Sequence, residues 1–264
     1  MTERYSHGHH ESVLRSHRWR TAENSAAYLL PRLRAGMSLL DVGCGPGTIT
    51  LDLAARLEPG EVLGIDSSAE VIDKARAAAA AAGSRAGFAV GDAYALEASD
   101  ASFDVVHAHQ VLQHLARPVD ALREWRRVAG PEGLVAAREV DYAGVVLHPL
   151  SDGLRAWAAR YQQVHRGNGG EPDAGRRLQA WAREAGFAEV AYSASLWVFA
   201  DADDRAWWGA SWADRTLHSG FATGALAAGA DEAELEAISA AWRDWAADPD
   251  AVMWMPHGEI LARG

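Results

Sequence analysis

Short apolar runs alternate along this chain with longer segments in which apolar residues recur every three or four positions. This alternation is typical of parallel strands joined by helices that cross over a sheet. The runs that predict strands in the first half are 39–42, 62–65, 86–90, 103–106 and 134–137. The segments that predict helices are 21–33, 48–54, 68–82 and 118–128. The pattern therefore predicts an α/β fold with a mostly parallel sheet.

The second half of the chain follows this pattern less regularly. Helical spacing predicts a helix around 154–161 and another over 174–185, with a loop over 166–173 between them. An alternating segment over 189–200 predicts a strand. A long helical stretch over 203–247 precedes a last strand over 252–261. We expect this stretch to be an insertion before the final strand.

Three closely spaced glycines, Gly43, Gly45 and Gly47, separate the first predicted strand from a helix that begins at Thr48. Glycine adopts positive φ freely and lets a ligand approach the backbone. The first N–H groups of a helix have no partner within it, so the turn can hold a polar ligand. A dinucleotide-binding turn would place its third glycine where Thr48 stands. Asp66 ends the second strand, where a carboxylate can bind ribose hydroxyls.

Four motifs follow one another at the predicted strand ends. They are the sequence Asp-Val-Gly-Cys-Gly-Pro-Gly over 41–47, Asp66, Gly-Asp-Ala over 91–93, and the segment that begins at His109. With these motifs the chain resembles the class I S-adenosylmethionine-dependent methyltransferases, and is similar to the ubiquinone/menaquinone-biosynthesis type. The resemblance covers residues 37–140. It implies a doubly wound, mostly parallel, seven-stranded Rossmann-like sheet with a helical cap.

The resemblance also implies S-adenosylmethionine as the cofactor and gives roles to the motif residues. Asp66 is expected to bind the ribose and Asp92 to contact the adenine, whereas His109 stands at the methionine end, where serine is common. The residues expected to bind the cofactor are Asp41, Gly43, Gly45, Thr48, Asp66, Ser67, Asp92, Ala93, His109, Gln110 and Arg20.

His109 and Asp141 are the candidates for catalysis. Histidine is the best base near neutral pH because its unperturbed pKa is about 6.5, and Asp141 would orient that histidine or the hydroxyl of the acceptor. Glu139 and Tyr142 are expected at the same end of the sheet. The alternative is that His109 only binds the cofactor, in which case methyl transfer depends on alignment alone.

Residues 1–20 are rich in Tyr, His and Arg. We expect residues 1–34 to form a lid and a first helix, with Arg20 or Arg18 near the carboxylate of the cofactor and His10 within reach of the acceptor. A solvated tail and a metal site are the alternatives; because no Cys or carboxylate has clear ligand spacing, we predict no metal. The cofactor-binding core is expected over 35–150, and the rest of the sheet with its cap over 151–264.

Composition limits the partners. The formal charge of −11 argues against sequence-independent nucleic-acid binding, which needs a basic face. The single cysteine, Cys44, fits a reducing cytosol. No apolar run reaches the length of about 18 residues that spans a membrane. We therefore expect a cytoplasmic protein, monomer or homodimer, without nucleic-acid or membrane partners.

Tryptophans are frequent in the second half of the chain, and a group of them flanks the junction between the strand over 189–200 and the cap. This group is Trp197, Trp207, Trp208 and Trp212. Most such residues pack in a core, but one or two are expected to line a pocket for a ring-bearing substrate. We therefore expect a small, apolar or aromatic methyl acceptor. Two other functions are considered: a related protein that binds the cofactor without transferring methyl, and an NAD(P) oxidoreductase.

Overall fold

The structure is a computed structural model that describes residues 19–264. Its strands are β1 (Leu39–Val42), β2 (Val62–Asp66), β3 (Gly87–Val90), β4 (Val105–His109), β5 (Leu134–Val140), β6 (Val146–His148), β7 (Glu189–Phe199) and β8 (Val252–Arg263). Its α-helices are α1 (Ala22–Ser25), α2 (Thr48–Leu57), α3 (Ala69–Ala82), α4 (Pro118–Ala129), α5 (Asp152–Gly167), α6 (Leu178–Glu184), α7 (Ala202–His218), α8 (Gly220–Ala227) and α9 (Glu232–Ala247). Short 3₁₀ turns lie at Leu30–Arg32, Leu112–His114, Tyr142–Gly144 and Ala174–Arg177.

The strands form one sheet with the order β3-β2-β1-β4-β5-β8, and β7 pairs with the other edge of β8. Strands β1 to β5 pair in parallel, whereas β8 pairs antiparallel with β5, β6 and β7. The doubly wound, mostly parallel sheet expected from the resemblance is therefore confirmed. The described chain has eight strands rather than seven, because β6 adds three residues that pair with the start of β8, beyond the region of β8 that pairs with β5.

Both faces of the central strands are covered, which is why every residue of β4 and β5 is buried. On one face Trp125 of α4 and Leu178 of α6 pack against the sheet. On the other face Leu53 of α2 and Leu29 of the N-terminal segment pack against it. Side chains of a strand point alternately to the two faces, so these two layers separate neighbouring residues of the same strand.

The prediction of a continuous helix over 21–33 is wrong. Helix α1 ends after four residues, and the chain continues through turns into the 3₁₀ turn that contains Pro31. Proline has no N–H to donate and disfavours helical backbone in the residue before it. Leu29 is nevertheless fully buried, so the apolar pattern correctly identified the packed side of the segment.

A helical cap packs on the carboxyl ends of β5 and β7, on β6 and on the start of β8. Helices α7, α8 and α9 form the expected insertion between β7 and β8, and α5 packs against α9 and α8. At the centre of the cap, the ring of Trp157 lies edge-on to Trp212 and to Trp242, with ring centroids 4.9 Å apart in both pairs. No helix among residues 19–264 is long and apolar enough to cross a membrane.

Candidate functional site

The glycine turn packs so tightly that no side chain fits at Gly43 or Gly47. Gly43, Gly45 and Gly47 have φ values of 68°, 56° and 85°, which favour glycine. A Cβ on Gly43 would lie 2.4 Å from a methyl group of Val111, and one on Gly47 would lie 2.8 Å from the ring of Phe88. Gly47 is also the N-cap of α2 and offers no side chain to its N–H groups. The helix N-terminus is therefore suited to a polar ligand.

Asp66 connects this turn to the next two strand ends. Its Oδ2 accepts a hydrogen bond from the N–H of Gly45 at 3.1 Å, and its Oδ1 accepts one from the N–H of Ser68 at 3.0 Å. The N–H of Gly91 donates to the carbonyl of Asp66 at 3.0 Å, which brings Asp92 beside it. The residues expected to bind ribose and adenine therefore lie on adjoining loops.

Three other expected cofactor ligands lie at this edge. Ser67 and Asp92 are exposed, and the N–H of Tyr94 donates to Asp92 Oδ1 at 2.9 Å. Ala93 is half-buried, and its carbonyl accepts a hydrogen bond from Trp125 Nε1 at 3.0 Å. The loop after β3 is thereby fixed to α4.

Asp41 is buried beneath the turn. His107 Nδ1 donates to its Oδ1 at 2.7 Å, and Thr50 Oγ1 donates to its Oδ2 at 2.5 Å. Asp41 thus joins β1, β4 and α2. Although it borders the site, Asp41 is 3% exposed, so its main contribution is to hold these elements together.

A small cavity of about 20 Å³ lies beside the turn, and Arg20, Thr48 and His109 line it. Arg20 Nη2 donates to Gln110 Oε1 at 2.9 Å. Gln110 has a φ of 56°, an uncommon value for a residue other than glycine. Arg20 is thus fixed beside the turn by the residue that directly follows β4, and the role of both residues in binding the cofactor stays a prediction.

Sequence reasoning missed His257, which completes this group from β8. Its Nδ1 lies 3.0 Å from the carbonyl of Met255, and its Nε2 lies 2.9 Å from Gln110 Nε2. A neutral imidazole satisfies both contacts, because Nδ1–H donates to the carbonyl and Nε2 accepts from the amide. Hydrogen bonds therefore run from Arg20 through Gln110 and His257 to Met255.

His109 is 6% exposed, and within residues 19–264 neither of its ring nitrogens has a hydrogen-bond partner. Its ring centroid lies 5.5 Å from that of Trp197. Burial, followed by the nearby guanidinium groups of Arg138 and Arg20, holds the pKa of His109 well below its usual range. His109 is therefore neutral at neutral pH.

Asp141 does not orient His109 in the described structure. Arg176 donates to the two carboxylate oxygens of Asp141 through Nε and Nη2, both at 2.6 Å. The N–H of Gly144 adds a third hydrogen bond at 3.1 Å. The expectation of a catalytic role for Asp141 thus gains no support, because both of its carboxylate oxygens accept hydrogen bonds that stabilise the loop after β5.

Glu139 points to the other side of the sheet from the expected reaction site. Its carboxylate accepts hydrogen bonds from the N–H groups of Val111, Leu112 and Gln113, at 2.7–3.3 Å. Burial raises its pKa to about 7. From the cap side, His165 Nε2 donates to the Gln113 carbonyl at 2.7 Å. Glu139 and His165 thus hold the segment after β4 from two directions.

Residues 33–186 match a family model described as a methyltransferase domain. The chain is also 35% identical over 269 residues to an uncharacterized methyltransferase of Schizosaccharomyces pombe, covering 97% of this chain and 95% of that protein. The chain belongs to the methyltransferase-domain family. This membership confirms the resemblance to class I enzymes, with S-adenosylmethionine as the cofactor, and decides against the oxidoreductase alternative.

Two further similarities bear on the type of enzyme and on its fold. The chain is 37% identical over 108 residues to the ubiquinone/menaquinone biosynthesis C-methyltransferase UbiE of Roseobacter denitrificans, covering 40% of this chain and 43% of that protein. The solved structure of the [4+2]-cyclase SpnF matches with a TM-score of 0.54 and 22% identity, covering 98% of this chain and 86% of that one. The second similarity shows the fold alone.

The residues at the strand ends fit S-adenosylmethionine. At Gly43 and Gly47 the lack of a Cβ allows Val111 and Phe88 to pack against the turn, which fixes its shape. The N-terminus of α2 has no side-chain cap, and Asp66 presents a half-buried carboxylate beside it. Arg18, expected near the carboxylate of the cofactor, and His10, expected within reach of the acceptor, lie outside the described residues.

We expect Asp66→Ala to weaken S-adenosylmethionine binding by on the order of 100-fold or more. The two ribose hydroxyls would lose their charge-assisted hydrogen bonds to the carboxylate, each worth roughly 1.5–3 kcal/mol. Calorimetric titration measures the change. Asp73→Ala is the matched control, because Asp73 lies on α3 in an exposed pair with Arg76. Unchanged affinity in Asp66→Ala would contradict the ribose assignment.

Protein stability is expected to fall between pH 6.5 and 4 in part because of His165. Burial lowers its folded-state pKa from 6.5 to about 4, so in this range the unfolded chain binds the proton and the folded chain does not. Between pH 7.5 and 5 this linkage costs about 2 kcal/mol, or about 4–8 °C in Tm.

Thermal melts of the wild type and His165→Gln at pH 7.5 and 5 test this expectation. Between pH 7.5 and 5, the Tm of His165→Gln should fall by about 4–8 °C less than the Tm of the wild type. Glu139 acts in the opposite direction, because its raised pKa favours the folded state as the pH falls below about 7. Its contribution is common to both proteins, so it cancels in the comparison. An equal loss in both proteins would contradict the role of His165.

Proposed function

We propose that this enzyme transfers the methyl group of S-adenosylmethionine to a small acceptor that carries an apolar or aromatic ring. The observation that supports this proposal is an aromatic wall beside His109. The ring of Trp197 lies 5.5 Å from His109, and the ring of Trp19 lies 5.0 Å from Trp197 in an edge-on arrangement. Large aromatic surfaces of this kind favour flat apolar ligands.

The tryptophans near the cap divide between this wall and the core. Trp197, Trp208 and Trp212 are all buried in the apolar cluster of the cap, whereas Trp207 is half-buried and stacks on Trp19 with ring centroids 5.5 Å apart. Of the three buried rings, Trp197 also lines a cavity beside the N-terminal segment. This division supports a pocket formed by few of the candidate tryptophans. The similarity to a relative named for ubiquinone/menaquinone biosynthesis also supports a ring-bearing acceptor.

S-adenosylmethionine, when bound, supplies a methyl group already activated by its sulfonium charge. The protein must then align the acceptor and exclude water. A neutral imidazole whose pKa is well below neutral is a weak base, because general bases work best with a pKa near the working pH. We therefore assign His109 a place in the wall of the site, with transfer by alignment.

The N-terminal segment is proposed to close the site. The part of it that the structure describes brings Trp19 onto Trp197 and Arg20 to the cavity beside the turn. A guanidinium group at this position can bind the carboxylate of the cofactor. We keep the division into a lid and helix over 1–34, a core over 35–150 and a capped remainder over 151–264 as part of this proposal.

We expect Trp197→Leu to raise the KM for a ring-bearing acceptor about 10- to 100-fold, because the loss of aromatic contact area costs about 1–3 kcal/mol. The affinity for S-adenosylmethionine should change less than about threefold, which corresponds to less than 0.7 kcal/mol. The assay is release of S-adenosylhomocysteine with a panel of phenols, aromatic amines and quinols.

Trp254→Leu is the control, because Trp254 is 47% exposed on β8. Equal KM values in wild type and Trp197→Leu would contradict the proposal that the aromatic wall binds the ring of the acceptor. If S-adenosylmethionine binds but no acceptor in the panel promotes release, a function without methyl transfer is favoured.

His109→Ala is expected to weaken S-adenosylmethionine binding about 10-fold, through loss of packing at the methionine end, while kcat at saturation stays within about threefold. Calorimetry and steady-state rates measure the two effects. A general base would behave differently: kcat would fall by roughly 10²- to 10⁴-fold with little change in affinity. That result would assign proton removal to His109.

A further inference from the structure

A second cavity lies close to the cofactor site, between the N-terminal segment and strands β5, β7 and β8. Its volume is about 270 Å³, close to the lower limit of about 300 Å³ for pockets that bind small molecules. Its lining combines the aromatic rings of Trp19 and Trp197 with the polar side chains of Arg138, Ser195 and Glu259. The cavity is therefore suited to a ligand with both a ring and a polar group.

Arg138 carries the main polar feature of this cavity. It is 1% exposed, and burial lowers its pKa to about 10, so it remains a cation at neutral pH. Its Nε donates to Ser195 Oγ at 3.1 Å and to Glu259 Oε1 at 3.2 Å, and its Nη2 donates to Ser195 Oγ at 3.0 Å. Its Nη1 is buried and has no hydrogen-bond partner in the described part of the chain.

The guanidinium group of Arg138 is planar, so its existing hydrogen bonds show which of its edges can still donate to a ligand. The two bonds to Ser195 use the edge between Nε and Nη2. The edge between Nη1 and Nη2 still has donors to offer, and a carboxylate matches such an edge with two parallel hydrogen bonds. A buried donor without an acceptor is rare in folded proteins and calls for a partner.

Glu259 does not serve as that partner. Its Oε1 accepts from Ser195 Oγ at 2.5 Å and its Oε2 from Ser193 Oγ at 2.8 Å, in addition to the contact with Arg138 Nε. Around the ring of Trp197 stand two guanidinium groups, those of Arg138 at 5.0 Å and Arg20 at 5.6 Å. These two guanidinium groups can attract an anionic group beside this ring, although the carboxylates of Glu23 and Glu259 also line the cavity.

The second cavity lies next to His109, which is expected at the methionine end of the cofactor. Arg138 is the register partner of His109 across β5 and β4, and neighbouring strands lie about 4.8 Å apart. The ring of Trp197 contacts both residues. A ring placed on Trp197 with a substituent at Arg138 would therefore have its opposite side near His109.

We infer that the methyl acceptor is a ring-bearing carboxylic acid whose carboxylate binds Arg138 in this cavity. This inference rests on the proposed function, because it takes the aromatic wall as the acceptor site. Arg138 is then a residue that determines specificity, since an amide analogue offers the guanidinium one acceptor oxygen and no charge, where a carboxylate offers two oxygens and a negative charge.

The test compares matched ligands on the whole protein saturated with S-adenosylhomocysteine. The probes are benzoate and the hydroxybenzoates, each paired with its carboxamide, and binding is measured by calorimetry. The wild type should bind at least one carboxylate 10-fold or more tightly than its amide. Arg138→Lys keeps the cation for Glu259 but loses the planar fork, so it should reduce this preference to threefold or less.

Arg160→Lys is the control, because Arg160 pairs with Glu234 in the cap and does not line this cavity. It should keep the preference of the wild type. Equal binding of acids and amides by the wild type, or a preference that survives in Arg138→Lys, would overturn the inference. If Arg138→Lys does not fold, the comparison of acids with amides on the wild type decides.

Failure of this inference differs from failure of the proposed function. If the cavity does not bind carboxylates, the enzyme still releases S-adenosylhomocysteine with ring-bearing acceptors but does not distinguish acids from amides. If the proposed function is wrong, no acceptor of either kind promotes release.

Discussion

The site depends on one constraint, which is the close packing of the glycine turn after β1 against neighbouring strands and the segments that follow them. The turn after β1 lies against Val111 beyond β4 and against Phe88 of β3, at distances that leave no space for a Cβ at Gly43 or Gly47. Asp41 secures this arrangement from below through His107 and Thr50. Because these contacts fix the turn, the N-terminus of α2 and Asp66 present their polar groups in one place.

A row of buried polar residues on one face of the sheet extends this site away from the turn. His109 on β4, Arg138 on β5 and Glu259 on β8 are neighbours in register. Few of these groups reach water, so their protonation and hydrogen bonds are determined by one another and by any ligand. This explains why His109 and His257 are neutral, while Arg138 remains charged next to Glu259.

Local patterns in the sequence predicted the features that depend on neighbouring residues. They identified the glycine turn, Asp66 and most strands, but not the break before Pro31 or the three-residue strand β6. The fifth strand was expected to end at Ala137, whereas it continues to Val140, and alternation along this longer strand turns Glu139 away from Arg138. The meeting of Gln110 with His257 was not predictable in this way, because 147 residues separate them.

We propose that the aromatic wall and the buried polar row face the reacting end of the cofactor. A crystal structure of the whole protein with S-adenosylhomocysteine tests it most directly. We expect the ribose on Asp66, the carboxylate near Arg20, and the sulfur facing His109 and the space beside Trp197. A sulfur that faces away from Trp197, with the ribose bound elsewhere than at Asp66, would contradict it.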